Sequence, residues 1–418
     1  MTSIINSSNS NSALINTINA SDSKHNPNVY STKKIYPAAA TTYVTTTKSS
    51  GSVGANQTMV FDLMKYGIAQ QMVLVYSKAG VGGNITLANY DFIDVIDRVE
   101  LLSSSKVIDT LTKYDLLAQF SNLDNSQFNI VNNSAVKARS AAATQQVVVP
   151  LVFGFFKDIN TNLNLQFNEP MSVRVRWGAN ILQAGGVVAA IPETGVYLKL
   201  RYKAYNESDF SEILTENYNE PELNQMSTGF YDENATSVIV TQAAGAAQTT
   251  LSYPLTGPGV KVELKNTDCV NDFYIIAKQT SSYSAATDAN HQPLKIKRVR
   301  FTASGQEIFD LEGYELFYAK LCVNGFSTLT SDVSNIENVC KIQTGLWEYA
   351  GGGTQSNTLS LRELNNPIIE VWLEDITIPA NGGGVAVTYS FDVVVVEDAV
   401  KIYSTTSATG RVMTSLSN

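Results

Sequence analysis

Side chains that could do chemistry are sparse in this chain of 418 residues. Asp91, Asp94 and Asp97 recur at a spacing of three, and carboxylates brought together in this way can collect a divalent cation. No Gly or carbonyl pattern of an EF-hand accompanies them, and a solvated strand edge accounts for them better. His25 and His291 are the only histidines. A serine hydrolase would need one of them beside a nucleophile, yet there is no GxSxG elbow. Both read as surface residues, His25 in a polar leader and His291 in the loop TDANHQP. GVGGN at 80–84 lacks the GK[ST] of a phosphate-binding loop and reads as a turn. The 38 acids leave a carboxylate pair for glycoside hydrolysis open, but no spacing selects one. Cys269, Cys322 and Cys340 contain no CxxC, and their odd number and wide spacing suit buried free thiols better than disulfides or zinc. No catalytic, cofactor-binding or metal-ligating residue is therefore assigned, and no cofactor is expected.

Charge narrows the field further. With 29 Lys and Arg against 38 Asp and Glu, the net charge of −9 argues against extended contact with nucleic acid, which needs a basic surplus on some face. The deficit is local. Between Ala204 and Val260 there is no Lys or Arg, while Glu207, Asp209, Glu212, Glu216, Glu220, Glu222, Asp232 and Glu233 fall there. A solvent-facing connector explains such a run without a special role. Charged residues make up 16% of the chain, below the usual quarter or so, and 20 Tyr with 16 Phe favour sheets. At roughly 100–200 residues per domain, the length suggests two or three domains. No window approaches the roughly 18 apolar residues of a membrane span, and MTSIINSSNSNSALINTINASDSK lacks a signal peptide's basic start and apolar run. The expectation is a soluble protein made in the cytosol.

The elements that would position any site are mostly strands. In MSVRVRW (171–177) and GVYLKLRYKAY (195–205) apolar and polar residues alternate, as on a half-buried strand. TTYVTTT, QQMVLVYS and QQVVVPLVFGFF add further strands, and Gly-rich turns separate them. Two segments read as helices: SKVIDTLTKYDLLAQF from Ser105, with Ile108, Leu111, Tyr114 and Leu117 on one face, and GQEIFDLEGYELFYAKL from Gly305, with Ile308, Leu311, Tyr314 and Phe317.

These two segments resemble each other, and the likeness extends to the whole chain. Setting residue n against n+200 pairs Ile96/Ile296, Arg98/Arg298, Val99/Val299, Ser104/Ser304, Ile108/Ile308, Leu111/Leu311, Tyr114/Tyr314 and Leu116/Leu316 without a gap. Upstream, FDLMKYGIAQQMVLVY matches VELKNTDCVNDFYIIAK in pattern. Downstream, LNLQFNEPMSVRVRW matches LSLRELNNPIIEVWL, with Pro170 on Pro367 if one residue slips, and GVYLKLRYKAY matches VAVTYSFDVVVV. The chain thus reads as a tandem duplication of one β-rich domain. Arg98 and Arg298 are each expected to pair with an acid, Tyr114 and Tyr314 to plug the end of each sandwich, and Pro170 and Pro367 to fix the start of a strand.

From about residue 36 to 405 the sequence resembles the double jelly-roll major capsid proteins of the lineage that includes adenovirus hexon, tectiviruses, virophages and nucleocytoplasmic large DNA viruses. IDRVELLSSSKVIDTLTKYDLL is similar to that family's strand, small-residue turn, Ile-Asp pair and helix. IKRVRFTASGQEIFDLEGYEL is similar to the large-DNA-virus form, whereas Ser103–Ser105 replaces its Gly-rich turn in the first copy. VVVPLVFGFFKDINTNLNLQFNEPMSVRVRW resembles the Pro-led strand, loop and charged alternating strand of the same family.

The resemblance implies an all-β fold: two tandem eight-stranded antiparallel jelly rolls with short helices in the loops, plus an extended N-terminal arm. The expected divisions are the arm at 1–35, jelly roll 1 at 36–206, an acidic connector at 207–224, jelly roll 2 at 225–405 and a C-terminal tail at 406–418. It further implies a structural protein and not an enzyme, whose main partner is itself: a homotrimer of six similar barrels tiling an icosahedral shell. Minor capsid, penton or membrane proteins would be further partners, with no sequence-specific nucleic acid. The location would be the virion capsid, assembled in host cytoplasm. The arm, with Leu14–Ile18, Lys24, Lys33 and Lys34, would order on assembly. A β-sandwich carbohydrate-binding or spike protein is the competing reading, and a β-sandwich glycosidase or lyase the third.

Overall fold

The computed structural model describes residues 40–65, 67–78, 95–121, 145–156, 163–165, 169–178, 183–184, 187–188, 193–204, 225–266, 269–280, 294–313, 315–316, 339–343, 359–405 and 413–416. Two β-sandwiches follow one another along the chain. The first contains β1 (Ala40–Thr47), β2 (Ser50–Gly51), β3 (Thr58–Asp62), β4 (Ile68–Lys78), β5 (Ile96–Ser103), β6 (Lys106–Thr112), β7 (Gln145–Pro150), β8 (Leu163–Asn164), β9 (Met171–Trp177), β10 (Gln183–Ala184), β11 (Val187–Val188) and β12 (Tyr197–Ala204). Its sheets run β1-β12-β4-β7 and β2-β3-β9-β5-β6, with every pairing antiparallel.

The second sandwich contains β13 (Gln225–Gln242), β14 (Thr249–Leu251), β15 (Val260–Glu263), β16 (Cys269–Gln279), β17 (Ile296–Ala303), β18 (Gln306–Glu312), β19 (Val339–Gln343), β20 (Leu359–Ser360), β21 (Ile368–Leu373), β22 (Ile376–Ile378), β23 (Val387–Thr405) and β24 (Met413–Leu416). Its principal sheets are β13-β23-β16-β19 and β15-β21-β17-β18. In each sandwich eight main strands alternate between two sheets in the same order, which is the jelly-roll topology. The expected arm, the connector at 207–224, Asp91, Asp94, GVGGN, His25, His291, Cys322 and Tyr314 lie outside the described residues.

Alternation builds the strands as the sequence predicts. In β9 every odd residue from Met171 to Trp177 is buried and every even one half-buried. The two predicted helices are corrected in their first halves. Lys106–Thr112 is strand β6, and only Lys113–Ser121 forms a helix, α1; Gln306–Glu312 is likewise strand β18. Apolar residues three apart misled because Ile108 and Ile308 are bulge residues, extra in β6 and β18, and a bulge turns period two into period three locally. Helix α1 begins where the sequence provides a capping box. Thr112 Oγ1 accepts from the Tyr114 and Asp115 amides, both at 3.2 Å, and Asp115 Oδ2 accepts from the Thr112 amide at 2.7 Å.

The duplication holds down to irregularities of register. Ladder shifts fall between Ile96 and Arg98 and between Ile296 and Arg298, and again at Leu101/Leu102 and Phe301/Thr302. Ser104 and Ser304 both take positive φ, 55° and 54°, at the tip of the two-residue hairpin turns. The one-residue slip proposed to align the prolines does not occur. Met171 and Pro367 hold the same place, their carbonyls accepting from the Leu63 and Leu264 amides at 2.9 and 3.0 Å. Pro170 and Pro367 each still stand directly before a strand, β9 and β21.

Two cores result, and they differ in kind. One fills the second sandwich, with Phe273, Ile275, Phe301, Val371, Val393 and Val395. The other fills the first sandwich and continues into the outer face of β13-β23-β16-β19 through Tyr231, Tyr274, Ile276, Val394, Val396 and Tyr403. That sheet is buried on both faces, so β16 and β23 carry the continuous apolar runs Phe273–Ala277 and Val393–Val396 where β9 alternates.

Candidate assembly interface

The seam between the sandwiches is the most elaborate polar and apolar arrangement among the described residues. From the first sandwich it takes β6, α1 and the short 3-10 turn Gly154–Phe156; from the second it takes β13, β19, β23 and β24. Phe155 packs on Tyr403 with ring centroids 4.7 Å apart. The Tyr114 hydroxyl donates to Asp392 Oδ2 at 3.0 Å, and Thr112 Oγ1 donates to Glu233 Oε2 at 3.1 Å. Tyr114 was expected to plug the end of its own sandwich; it ties the two sandwiches together instead.

Acids are concentrated in this seam. Burial pushes the Asp115 carboxyl well above the usual carboxylate range, and Glu233 adds to the rise, while hydrogen bonds from Thr112 oppose it. The Glu233 carboxyl, at the rim, is raised as well, first by desolvation, with Thr112 and Lys113 pulling against it. A carboxyl whose folded value lies above its unfolded one adds stability below the unfolded pKa, and that stability is lost as pH rises through the folded value. Asp115→Asn keeps an oxygen for the Thr112 amide and removes the charge. It should leave stability unchanged near pH 4 and raise it by about 1 kcal/mol at pH 8, a rise of roughly 1–2 °C in a chain of this size. Melting curves across that range check the prediction.

The other predicted residues fall into structural roles. Arg298 chelates Asp310, with Nε 2.7 Å from Oδ1 and a second bond from Nη2 to Oδ2, and Arg98 Nε lies 3.1 Å from Glu100 Oε1. The Arg298 hydrogen bonds hold the Asp310 carboxyl below its usual range. Asp97 stands 3.6 Å from Arg176 as an ordinary strand-face pair. Cys340 is buried and Cys269 is half-buried. Asp232 and Glu233, counted by charge with the acidic connector, lie within β13. No group of three or more His, Cys, Asp or Glu side chains that could hold a metal ion occurs among the described residues.

Pairing across strands exposes a feature that composition hides. Glu100 on β5 faces Arg174 on β9, and Arg300 on β17 faces Glu370 on β21. Arg174 binds Glu100 and Arg300 binds Glu370, so the two copies hold one ion pair with its charges exchanged. Glu100 and Glu370 are nearly buried, 6% and 4% exposed, so an unmatched reversal would leave like charges directly opposite.

No protein-family model and no curated protein sequence matches the chain. Its fold is nevertheless shared with solved structures. Over 91% of this chain and 98% of the other it is similar, at 13% identity and a TM-score of 0.59, to PBCV-1 VP54 as fitted into a reconstruction of the virophage Sputnik. The PBCV-1 virus capsid matches over 91% of this chain and 97% of the other, with 13% identity and a TM-score of 0.61. Faustovirus major capsid protein matches over 90% and 92%, with 10% identity and a TM-score of 0.52. The chain is a tandem double jelly roll.

Proposed function

We propose that this chain is the major structural subunit of an icosahedral virus shell, assembling as a homotrimer of pseudo-hexagonal outline. The observation that carries the reading is the doubled jelly roll, shared over nine-tenths of the chain with capsid subunits of similar extent. Two like sandwiches in one chain give a trimer six similar walls, the outline needed to tile a hexagonal lattice. Self-association is then the function, and catalysis has no part in it. The expected divisions at 36–206 and 225–405 are the two walls. Residues 1–35 serve as an arm toward neighbouring capsomers or minor capsid, penton or membrane proteins, and the setting is the virion, assembled in host cytoplasm. Native mass spectrometry should give three times 45.4 kDa, and negative stain should show hexagonal particles about 70–80 Å across, scaled from compact-domain size. A stable monomer whose melting rises with added sugar would overturn the capsid reading in favour of a carbohydrate-binding sandwich.

A further inference from the structure

One charged cluster in the seam is peculiar to the second copy. The extra residue of the ladder is Gln70 in β4 and Asn271 in β16, which fixes the correspondence of the neighbouring strands. Arg201 therefore matches Asp398, Gln71 matches Asp272, and Tyr43 matches Tyr231. On the edge strands, Pro150 of β7 matches Lys341 of β19, because their partners Val73 and Tyr274 correspond. The first sandwich thus builds the same sheet with Arg201, Gln71 and Pro150 where the second has Asp398, Asp272 and Lys341. The fold itself does not require the cluster. The two faces also differ in cover: Tyr231 is 8% exposed beneath the first sandwich, whereas Tyr43 is 64% exposed on an open face.

Register brings the three side chains of the second copy together. Asp272 and Asp398 stand directly opposite each other on β16 and β23, and Lys341 lies one diagonal step from Asp272 on β19. All three share the face that carries Tyr231, Tyr274 and Val396 into the seam. Lys341 Nζ is 3.2 Å from Asp272 Oδ2, with side chains 12% and 5% exposed, and Asp398 is 5% exposed. The Tyr274 ring lies 5.3 Å from Nζ, and its hydroxyl donates to the same Oδ2 at 3.4 Å. Like charges directly opposite destabilise a strand pair, and a buried ion pair recovers little of its desolvation. An amine held against a carboxyl in this way reacts at an effective concentration far above any reached in solution.

We propose that Lys341 and Asp272 condense into an intramolecular isopeptide bond, with Asp398 as the proton carrier. The pair reacts from its neutral form, reached when a proton passes from Nζ to the Asp272 carboxylate. The Nζ lone pair then attacks Cγ and a C–N bond forms. Asp398 takes the proton that Nζ sheds and returns it to the departing hydroxyl as the C–O bond breaks. Tyr274 steadies Oδ2, the oxygen that stays as the amide carbonyl. One water leaves, Asp398 ends as it began, and nothing is oxidised or reduced. Strand β19, five residues long and at the edge of its sheet, is then fastened to the interior strand β16 by a bond that survives local fraying. The bond forms within one chain, so it stands or falls separately from the capsid reading.

The test is the intact mass of the denatured full-length chain, followed by mapping of its proteolytic peptides. The parent should be one water lighter than its sequence requires, and its digest should contain one branched peptide joining Lys341 to Asp272. Lys341→Arg keeps the cation and should regain the full mass, and Asp398→Asn should regain it as well. A parent of full mass with no branched peptide overturns the proposal. Loss of a water that persists in Lys341→Arg places the loss elsewhere in the chain and overturns it too. A branched peptide that survives in Asp398→Asn overturns the part given to Asp398. Where a variant fails to fold, the branched peptide of the parent decides by itself.

Discussion

Val394→Asp should lose roughly 4 kcal/mol or more of stability and release the two sandwiches from each other. Val394 is fully buried on the outer face of β23, between Ala235 of β13 and Ile276 of β16, with the first sandwich above it. An aspartate there would sit among apolar neighbours, and Lys278, the buried cation two residues beyond Ile276 on the same face, already stands opposite Asp392, so the new carboxylate must either ionise with little compensation or force the seam open. Opening would expose Tyr231, Tyr274, Ile276, Val396 and Tyr403 together, a contiguous apolar patch of the kind that drives aggregation. The expected result is a much lower urea midpoint, dye binding typical of exposed apolar surface, and precipitation on warming. Tyr197 occupies the corresponding place in the first sandwich, half-buried on an open face. Tyr197→Asp should therefore leave the melting temperature within a few degrees of the parent. Equal losses in the two variants would show that the seam does not hold the sandwiches together as described.

The same contrast separates what the sequence discloses from what it hides. Strand β9 is legible because its inner residues meet only its own core and its outer ones meet water, so polarity alternates at period two. Val393–Val396 is legible as a strand but not as an interface, since four consecutive valines fit any strand covered on both sides. Glu397 follows them and reads as the exposed end of that run. It is fully buried, accepting from Asn234 Nδ2 at 2.8 Å and Asn266 Nδ2 at 2.7 Å, where the first sandwich has Leu200. Those amides lie 163 and 131 residues away, and nothing local announces them.

Duplication was visible where both copies kept the same residues, as at Arg98 and Arg298. It was invisible where they exchanged roles. Glu100 with Arg174 and Arg300 with Glu370 count as mismatches in any comparison of residue types, although the pair as a unit is preserved. Tyr43 and Tyr231 are identical, but their offset of 188 differs from the 200 of the best-matched segment, because the loops between have different lengths. Only the ladder brings them into correspondence, and with them the uncovered face.

Trp177→Ala should cost roughly 3–5 kcal/mol, the range for emptying an aromatic site in a packed core. Trp177 is fully buried at the end of β9, edge-on to Tyr76 with centroids 5.9 Å apart and planes at 88°. Its backbone amide donates to Gln57 O at 2.9 Å, fixing the strand end, so the surrounding wall has little freedom to collapse into the space. The indole N–H meets no acceptor among the described residues, so Trp177→Phe loses volume and no hydrogen bond to them, and should cost only about 1–2 kcal/mol. Trp372 offers a control on the opposite face. The ladder places Trp177 opposite Ile96 and Leu373 opposite Ile296, which makes Leu373 the counterpart of Trp177 and Trp372 that of Arg176. Trp372 accordingly points outward, donates to Gly257 O at 2.9 Å and lies under the Arg298 and Arg300 guanidinium groups at 4.7 and 5.2 Å. Trp372→Phe would break that hydrogen bond while keeping part of the stacking, so the order of the two Phe variants should be the reverse of that expected from core volume alone. Equilibrium unfolding of the three variants in urea decides the matter: if Trp177→Phe loses as much as Trp372→Phe and Trp177→Ala loses under 2 kcal/mol or so, the core assigned to the first sandwich is not packed as described.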